Sequence, residues 1–429
     1  MFSQPIAPAS PLTRWLSRVP APVFALYGGV MAFGAYFAMY AFRKPFTAAE
    51  FAGMSLWGID YKIILVITQV FGYALSKFAG IRIISELPGR WRAVAILALI
   101  AVAEAALCAF AVVPAPYNIL CLFLNGLPLG LIWGLVFGFL EGRRTSEILG
   151  SILCASFIVS SGVVKSVGKW LLLSHYANDF SMPAMTGLIF TPLLLVCVWG
   201  LAQLPPPDVA DVAARTERRP MDKAARKALF SSYAPGLIAL VVLYIFLTAL
   251  RDFRDNFAAE IWTGLGFGDK ADVFAASELP IGAVVLVAMA VLTVFRDNRA
   301  ALWANFALVG IGLVLTAGAT LAFEAKLIAP FMWMMLVGGG LYLAYTPFNG
   351  ILFDRLLAAT GRVGTAGFLI YVADSSGYAG SVGLLLFRNF SSLQLPWVPF
   401  LEACALVTGG VGIALLIYAT LYMARRLKA

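Results

Sequence analysis

The chain has 429 residues, of which 61% are hydrophobic and 12% charged, with a formal net charge of +9. A soluble domain carries about 25% charged residues, so this composition excludes a water-soluble enzyme or binding module. The single histidine and five cysteines also exclude a familiar metal site or a Ser/His/Asp triad.

Residues 1–21 carry Pro5, Pro8 and Pro11 and read as a short disordered cytoplasmic tail. The tail is not a secretory signal, because the apolar stretch after it is too long and contains Arg43. A spanning helix needs about 20 mostly apolar residues. Twelve such spans are predicted, over 22–51, 60–82, 92–113, 117–140, 147–172, 181–204, 234–258, 272–295, 299–322, 328–354, 363–388 and 396–423. Placing both termini in the cytoplasm puts 20 of the 31 Lys and Arg in the termini and inner loops, leaving only Lys270, Lys326 and Arg388 outside. The positive charge therefore orients the chain in a membrane, expected to be a bacterial inner membrane, and implies no nucleic-acid partner.

Residues 205–233 are the one long hydrophilic connection. They open on Pro205-Pro206-Pro207 and divide the chain into halves at 22–204 and 234–424. The halves echo each other: Phe46-Thr47-Ala48-Ala49-Glu50-Phe51 follows Arg43, and Phe257-Ala258-Ala259-Glu260-Ile261 follows Arg251. Internal repeats with substrate at their interface are a common transporter plan. The predicted fold is thus all-α and membrane-integral, with two six-helix pseudo-symmetric halves in the major facilitator arrangement.

Local features fit packed helices. Gly126, Gly130, Gly134 and Gly138 recur every four residues in span four and predict a close helix contact. Cys108, Cys121, Cys154, Cys197 and Cys404 all fall in spans and read as small core residues. The loop from Gly80 to Arg92 resembles the superfamily's inner-loop signature with stretched spacing.

The charges inside the spans carry the functional signal. A guanidinium in a bilayer costs at least about 2.5–3.5 kcal/mol. Arg43 in span one and Arg251 in span seven stand at equivalent points, which predicts an anion between them; snorkelling or salt-bridged arginines are the bland alternative. Tyr36, Tyr40 and Arg43 share one helical face, Tyr73 and Lys77 another, and Tyr244, Thr248, Arg251 and Asp255 a third. Such polar stripes should line a central cavity. Glu104 reads as a helix–helix hydrogen-bonding group or a proton site, and Asp374 as a proton or cation site. Lys165 and Lys169 either snorkel or supply charge to the site. Trp133 and Tyr378 read as packing.

These residues resemble the organophosphate:phosphate antiporters. The resemblance rests on Tyr36, Tyr40, Arg43, Lys44 and Phe46 in span one, Tyr73-Ala74-Leu75-Ser76-Lys77-Phe78 in span two and Leu250-Arg251 in span seven. It continues through Glu278 ahead of Pro280 and Gly282, Tyr345-Thr346-Pro347, Gly364-Thr365-Ala366-Gly367 and Tyr371. It is remote, spread over most of the chain, and fits a sister group of that family. The resemblance implies that Arg43 and Arg251 clamp phosphate oxygens, aided by Lys77, with Tyr36, Tyr40, Tyr73, Tyr345 and Tyr371 around them. It also implies that Lys44 exchanges salt bridges with Asp255 and Glu278. The family's span-five histidine falls on Val159, and its tyrosine three residues before the span-seven arginine is Thr248; Asp252, Arg254 and Asp374 are extra charges. These departures leave the organic part of the substrate open.

The expectation is a monomeric secondary transporter of a small organic anion, a phosphate ester exchanged for inorganic phosphate, with no cofactor, metal or catalytic residue. The alternatives are a proton-coupled organic-anion symporter using Glu104, Glu278 or Asp374, and a membrane sensor of a phosphorylated metabolite on the same scaffold.

Overall fold

The computed structural model describes residues 10–140, 146–206, 223–360, 367–391 and 395–428. Among them, ten helices are long and apolar enough to cross a membrane. The first half comprises α2 (Ala21–Tyr40), α3 (Tyr61–Glu86), α4 (Arg92–Val112), α5 (Ile119–Leu140), α6 (Ser146–Leu173) and α7 (Met182–Ala202). The second comprises α8 (Lys223–Asn256), continued by the short α9 (Ala258–Gly264), then α10 (Val273–Leu292) and α11 (Asn298–Glu324). It ends with α12 (Pro330–Gly350), continued by α13 (Leu352–Ala359), α14 (Gly367–Phe390) and α15 (Trp397–Lys428). α3 and α14 complete the twelve predicted positions.

The pseudo-symmetry is visible in the packing. Within the first half, spans 2 and 4, 3 and 4, 1 and 5, 1 and 6, and 3 and 6 lie against each other. Each contact recurs six spans later, as α10–α12, α11–α12, α8–α14, α8–α15 and α11–α15. The halves meet along α6–α10 and, less extensively, α3–α14, which are also symmetry mates. Glycines permit the closest approaches. Gly162 of α6 sits where a Cβ would lie 2.6 Å from the Phe274 carbonyl, and Gly126 of α5 where it would run into the Gln69 carbonyl. Gly130 likewise faces the Tyr73 carbonyl, so these two glycines of the span-four stripe pack on α3, while Gly138 meets the Arg92 side chain of α4.

Some expectations change. Residues 10–16 are not an unstructured tail: α1 (Pro11–Leu16) is capped by Ser10, and Thr13 donates to the Gln203 carbonyl at 2.9 Å, docking it on the end of α7. The last part of the hydrophilic connection is helical, since α8 begins at Lys223 and its membrane-spanning stretch at Ser232; residues 207–222 lie outside the described set. Ser55–Leu56 pairs with Ile59–Asp60 in a small hairpin between α2 and α3. Cys108 is exposed on the helix surface rather than in the core, whereas Cys121 and Cys197 are buried.

Gly126→Ala should lower thermal stability in detergent by the ~1–3 kcal/mol typical of overpacking. Gly339→Ala has nothing within 4 Å of the new methyl group and should hold or raise stability. Melting curves of the two variants check the contrast.

Candidate functional site

Span one loses its helix where its chemistry begins. α2 stops at Tyr40, Pro45 has no N–H to donate, and Pro45–Ala48 tightens into a 3-10 turn. Free carbonyls are costly in a bilayer, so such a break needs other donors. Asn125 Nδ2 donates to the Phe42 carbonyl at 2.9 Å and Gln69 Nε2 to the Arg43 carbonyl at 2.9 Å. Gln69 also donates to Asn125 Oδ1 at 2.8 Å, and both side chains are buried. This buried amide pair fixes the backbone from which Arg43 projects.

The Arg43 guanidinium lies on the Tyr73 ring, 3.8 Å from its centroid, with the Tyr40 ring at 5.9 Å. Tyr36 packs edge-on against Tyr40 at 5.5 Å. The Arg43 Nε is buried without a hydrogen-bond partner. Among the described residues no carboxylate pairs with this guanidinium. Across the interface Arg251 lies over the Tyr345 ring at 4.3 Å and binds Asp252 Oδ1 through Nε and Nη2 at 3.0 and 2.7 Å. Tyr40 and Tyr378 stand within Coulombic reach of both arginines. The two guanidiniums therefore share one tyrosine-lined centre.

Ion pairs between the halves flank that centre. On the side of both chain termini, Lys77 donates to Asp374 Oδ2 at 3.0 Å and to the Tyr378 hydroxyl at 3.3 Å. The Tyr244 hydroxyl donates to Asp374 Oδ1 at 2.6 Å and lies 3.0 Å from the Tyr345 hydroxyl and from Asn349 Oδ1. On the far side, Asp255 takes Lys44 on Oδ2, and Lys165 and Ser161 on Oδ1. Lys44 also donates to Asn256 Oδ1 at 2.8 Å. Six cations (Arg43, Lys44, Lys77, Lys165, Arg251, Arg254) thus meet four carboxylates (Asp252, Asp255, Glu278, Asp374). The excess is two positive charges.

Three expected roles are placed differently. Glu278 pairs with Arg254 Nη1 at 2.7 Å and not with Lys44, because Arg254 turns toward α10 while its neighbour Asp255 faces the first half. Asp374, read from the sequence as a proton or cation site, forms an ion pair with Lys77 across the halves. Tyr378 is part of the centre and not mere packing, with its ring 6.1 Å from that of Tyr73. Trp133 stacks on Phe137 at 5.0 Å. Glu104 lies away from the centre, against Gly187 and Phe42, with both carboxyl oxygens buried and unpartnered. The Tyr371 side chain and residues 361–366, with most of the Gly364 motif, fall outside the described residues. A cavity with room for about one water molecule lies between Lys165, Asp255, Arg254 and Glu278, floored by Gly162.

The far end of the interface holds a second set of ties that no periodicity in the sequence singles out. Lys62, fully buried, binds both oxygens of Glu260 at 2.6 and 2.7 Å and donates to the Thr47 carbonyl at 2.8 Å. Thr263 donates to Glu50 at 2.7 Å, and Asn389 bonds the hairpin at Gly58 and Asp60. Lys169 stands 3.9 Å from Glu50. In the loop before α7, burial raises the pKa of Asp179, against the Phe51 N–H and the charges of Lys62 and Lys169. These ties close the far side.

A family profile, that of a family of unknown function (DUF5690), matches residues 45–426, and the chain belongs to this family. No curated protein sequence matches. Solved structures share the fold. A D-xylose-proton symporter superposes with a TM-score of 0.61 at 12% identity, covering 92% of this chain and 97% of its own. A bacterial homologue of the human drug peptide transporters PepT1 and PepT2 gives 0.58 at 13%, covering 94% and 98%. A bacterial homologue of the human lysosomal transporter Spinster, inward-facing and unoccupied, gives 0.55 at 11%, covering 98% and 97%. The architecture is the major facilitator fold.

Two outcomes follow from this geometry. Asn125→Leu should strand the Phe42 carbonyl and loosen Arg43, lowering ligand affinity more than about tenfold, the effect of one charge-assisted bond; a binding isotherm on the purified variant measures it. Glu260→Gln leaves Lys62 buried without a counter-charge and should cost about 3–5 kcal/mol, whereas Lys62→Met with Glu260→Leu should recover most of that. Thermal melts of the single and double variants decide it.

Proposed function

We propose that this member of the DUF5690 family is a secondary transporter that carries a small phosphorylated anion by alternating access and exchanges it for inorganic phosphate. One observation carries the reading: Arg43 is a cation at membrane depth with no carboxylate partner among the described residues, and it shares its tyrosine-lined centre with Arg251 of the other half. A planar guanidinium suits a phosphate's oxygens better than an ammonium does. The tyrosine rings beneath both guanidiniums hold them by cation–π contact; Arg43 keeps its donor edges clear of any carboxylate among the described residues, while Arg251 spends Nε and Nη2 on Asp252. The excess of two positive charges matches the charge of a phosphate dianion.

That excess also favours exchange over net uptake. An empty, doubly positive centre is costly to move through the bilayer, since uncompensated charge there is expensive. A loaded centre is neutral. The carrier therefore reorients with phosphate or a phosphate ester aboard on each crossing. The charge bias in the loops supports termini in the cytoplasm of a bacterial inner membrane.

Asp374 favours a second reading, proton-coupled symport. It bridges the halves through Lys77, so its protonation would release that tie. The two readings separate in reconstituted vesicles. Exchange predicts that labelled phosphate enters only with phosphate or a phosphate ester inside and that a pH gradient alone drives little uptake. Symport predicts net uptake under a pH gradient without counter-substrate, lost in Asp374→Asn.

Arg43→Lys and Arg251→Lys should each abolish phosphate exchange while the protein still reaches the membrane and elutes as folded protein. Each loses about 1.5–3 kcal/mol per charge-assisted bond removed. Wild-type affinity in either variant would remove the two-arginine clamp.

A further inference from the structure

The two excess positive charges of the centre stand in two separate places. One is Arg43, which has no acid beside it among the described residues. The other is the far-side triad, where two ammonium groups share one carboxylate: Asp255 takes Lys44 on one oxygen and Lys165 on the other. The remaining pairs, Lys77–Asp374, Arg251–Asp252 and Arg254–Glu278, are one to one. A compact phosphate dianion balances the two charges in sum, but held at Arg43 it puts no anion beside the second ammonium of the triad.

The triad itself shows what kind of group it accepts. Lys44, Lys165 and Ser161 all belong to the first half, and the carboxylate they hold belongs to the second. Together they form a cage for a planar carboxylate, built of two ammoniums and a hydroxyl. Lys44 is next in sequence to Arg43 and within Coulombic reach of it, and Asp255 lies within reach of Tyr40, as both arginines do. Lys165, Asp255 and Gly162 line the water-sized cavity, so packing is already incomplete beside the cage.

We infer that Lys44 and Lys165 form a second anion subsite, and that the preferred substrate carries two separate anionic groups, a phosphate ester and a carboxylate. This inference rests on the phosphate-carrier reading. The substrate carboxylate takes one lysine and Asp255 keeps the other, so every cation of the triad then has its own anion. Asp255 holds the halves together through this cage, and a substrate that claims one of its lysines also weakens the far-side closure. Binding and opening are thereby coupled through one residue.

The test compares two probes with the same three-carbon skeleton, glycerol 3-phosphate and 3-phosphoglycerate, which differ at a carboxylate. Each competes with labelled inorganic phosphate in exchange by reconstituted full-length protein, and the ratio of their inhibition constants is read. The wild type should favour 3-phosphoglycerate by at least about tenfold, the fold-change of one charge-assisted bond. In Lys165→Gln the ratio should fall to near one, whereas Lys169→Gln, whose lysine lies by Glu50, should keep it. Ser161→Ala, a one-atom truncation that removes a partner of Asp255, should raise the ratio because Asp255 then yields more readily. A wild-type ratio near one overturns the second subsite, as does a ratio that survives Lys165→Gln or does not rise in Ser161→Ala. Phosphate exchange with a flat ratio overturns the second subsite alone; no phosphate exchange at all overturns the carrier reading with it.

Discussion

Asp255 is the contact on which the rest of the interface depends. It is one carboxylate of the second half held by three groups of the first. In a bilayer a charge that loses its partner has no water to take its place, and breaking a buried pair costs about 3–5 kcal/mol. The halves therefore cannot part at Asp255 unless another charge arrives. The same rule governs Lys77–Asp374 on the side of the termini. Ion pairs that cross a moving interface act as conditional locks, and the condition is an incoming charge of the right sign. On the carrier reading the substrate is that charge.

The two halves are pseudo-symmetric in packing but not in how they present their arginines. α8 runs helical past Arg251 to Asn256, so Arg251 projects from an ordinary turn and finds the neighbouring Asp252. α2 has already ended before Arg43, and its freed carbonyls are taken by Gln69 and Asn125. Arg251 is followed in sequence by an acid it can reach, Asp252, whereas Arg43 is followed by another cation, Lys44. The asymmetry leaves one arginine committed and the other open, and the backbone of the open one is held in place by Gln69 of α3 and Asn125 of α5. A broken helix at membrane depth is tolerated only where other groups satisfy it or where it borders a cavity, and here Gln69 and Asn125 satisfy it.

Much of this was legible in the sequence because it is periodic or local. Twelve apolar stretches, a charge bias between alternate loops, and tyrosines spaced i, i+4 from basic residues all declare themselves without tertiary information. The placement of Lys44 near Asp255 came from a resemblance, and the structure pairs the two. What was illegible is long-range. Glu278 faces Arg254 because consecutive helical residues point about 100° apart, so Arg254 and Asp255 serve different helices. Nothing local marks Lys62 and Glu260 as partners 198 positions apart. Tyr378 looked like packing since its polar partner among the described residues, Lys77, lies on another half. The amide pair of Gln69 and Asn125 was overlooked for a related reason: two uncharged polar residues in apolar helices carry no sign of which carbonyls they serve.

The two ends of the interface also differ in kind, and that difference sets the resting state. The far end combines Lys62–Glu260, Glu50–Thr263, the Asn389 contacts to the hairpin and the Asp255 cage. Toward the termini, among the described residues, the halves share Lys77–Asp374 with Tyr378 beside it. Several of the far-end bonds involve side chains that no central ligand reaches, Lys62 and Glu260 above all. They stabilise one conformation whatever occupies the centre, and a ligand shifts an equilibrium only by what it binds differently in the two states. The Asp255 cage is the one far-end tie close enough to the centre for an anion to compete with it. Closure is thus divided into a constant part, set by Lys62–Glu260 and its neighbours, and a ligand-sensitive part at Asp255. On the carrier reading, the constant part fixes which side is shut in the empty protein, and the sensitive part lets occupancy alter that balance.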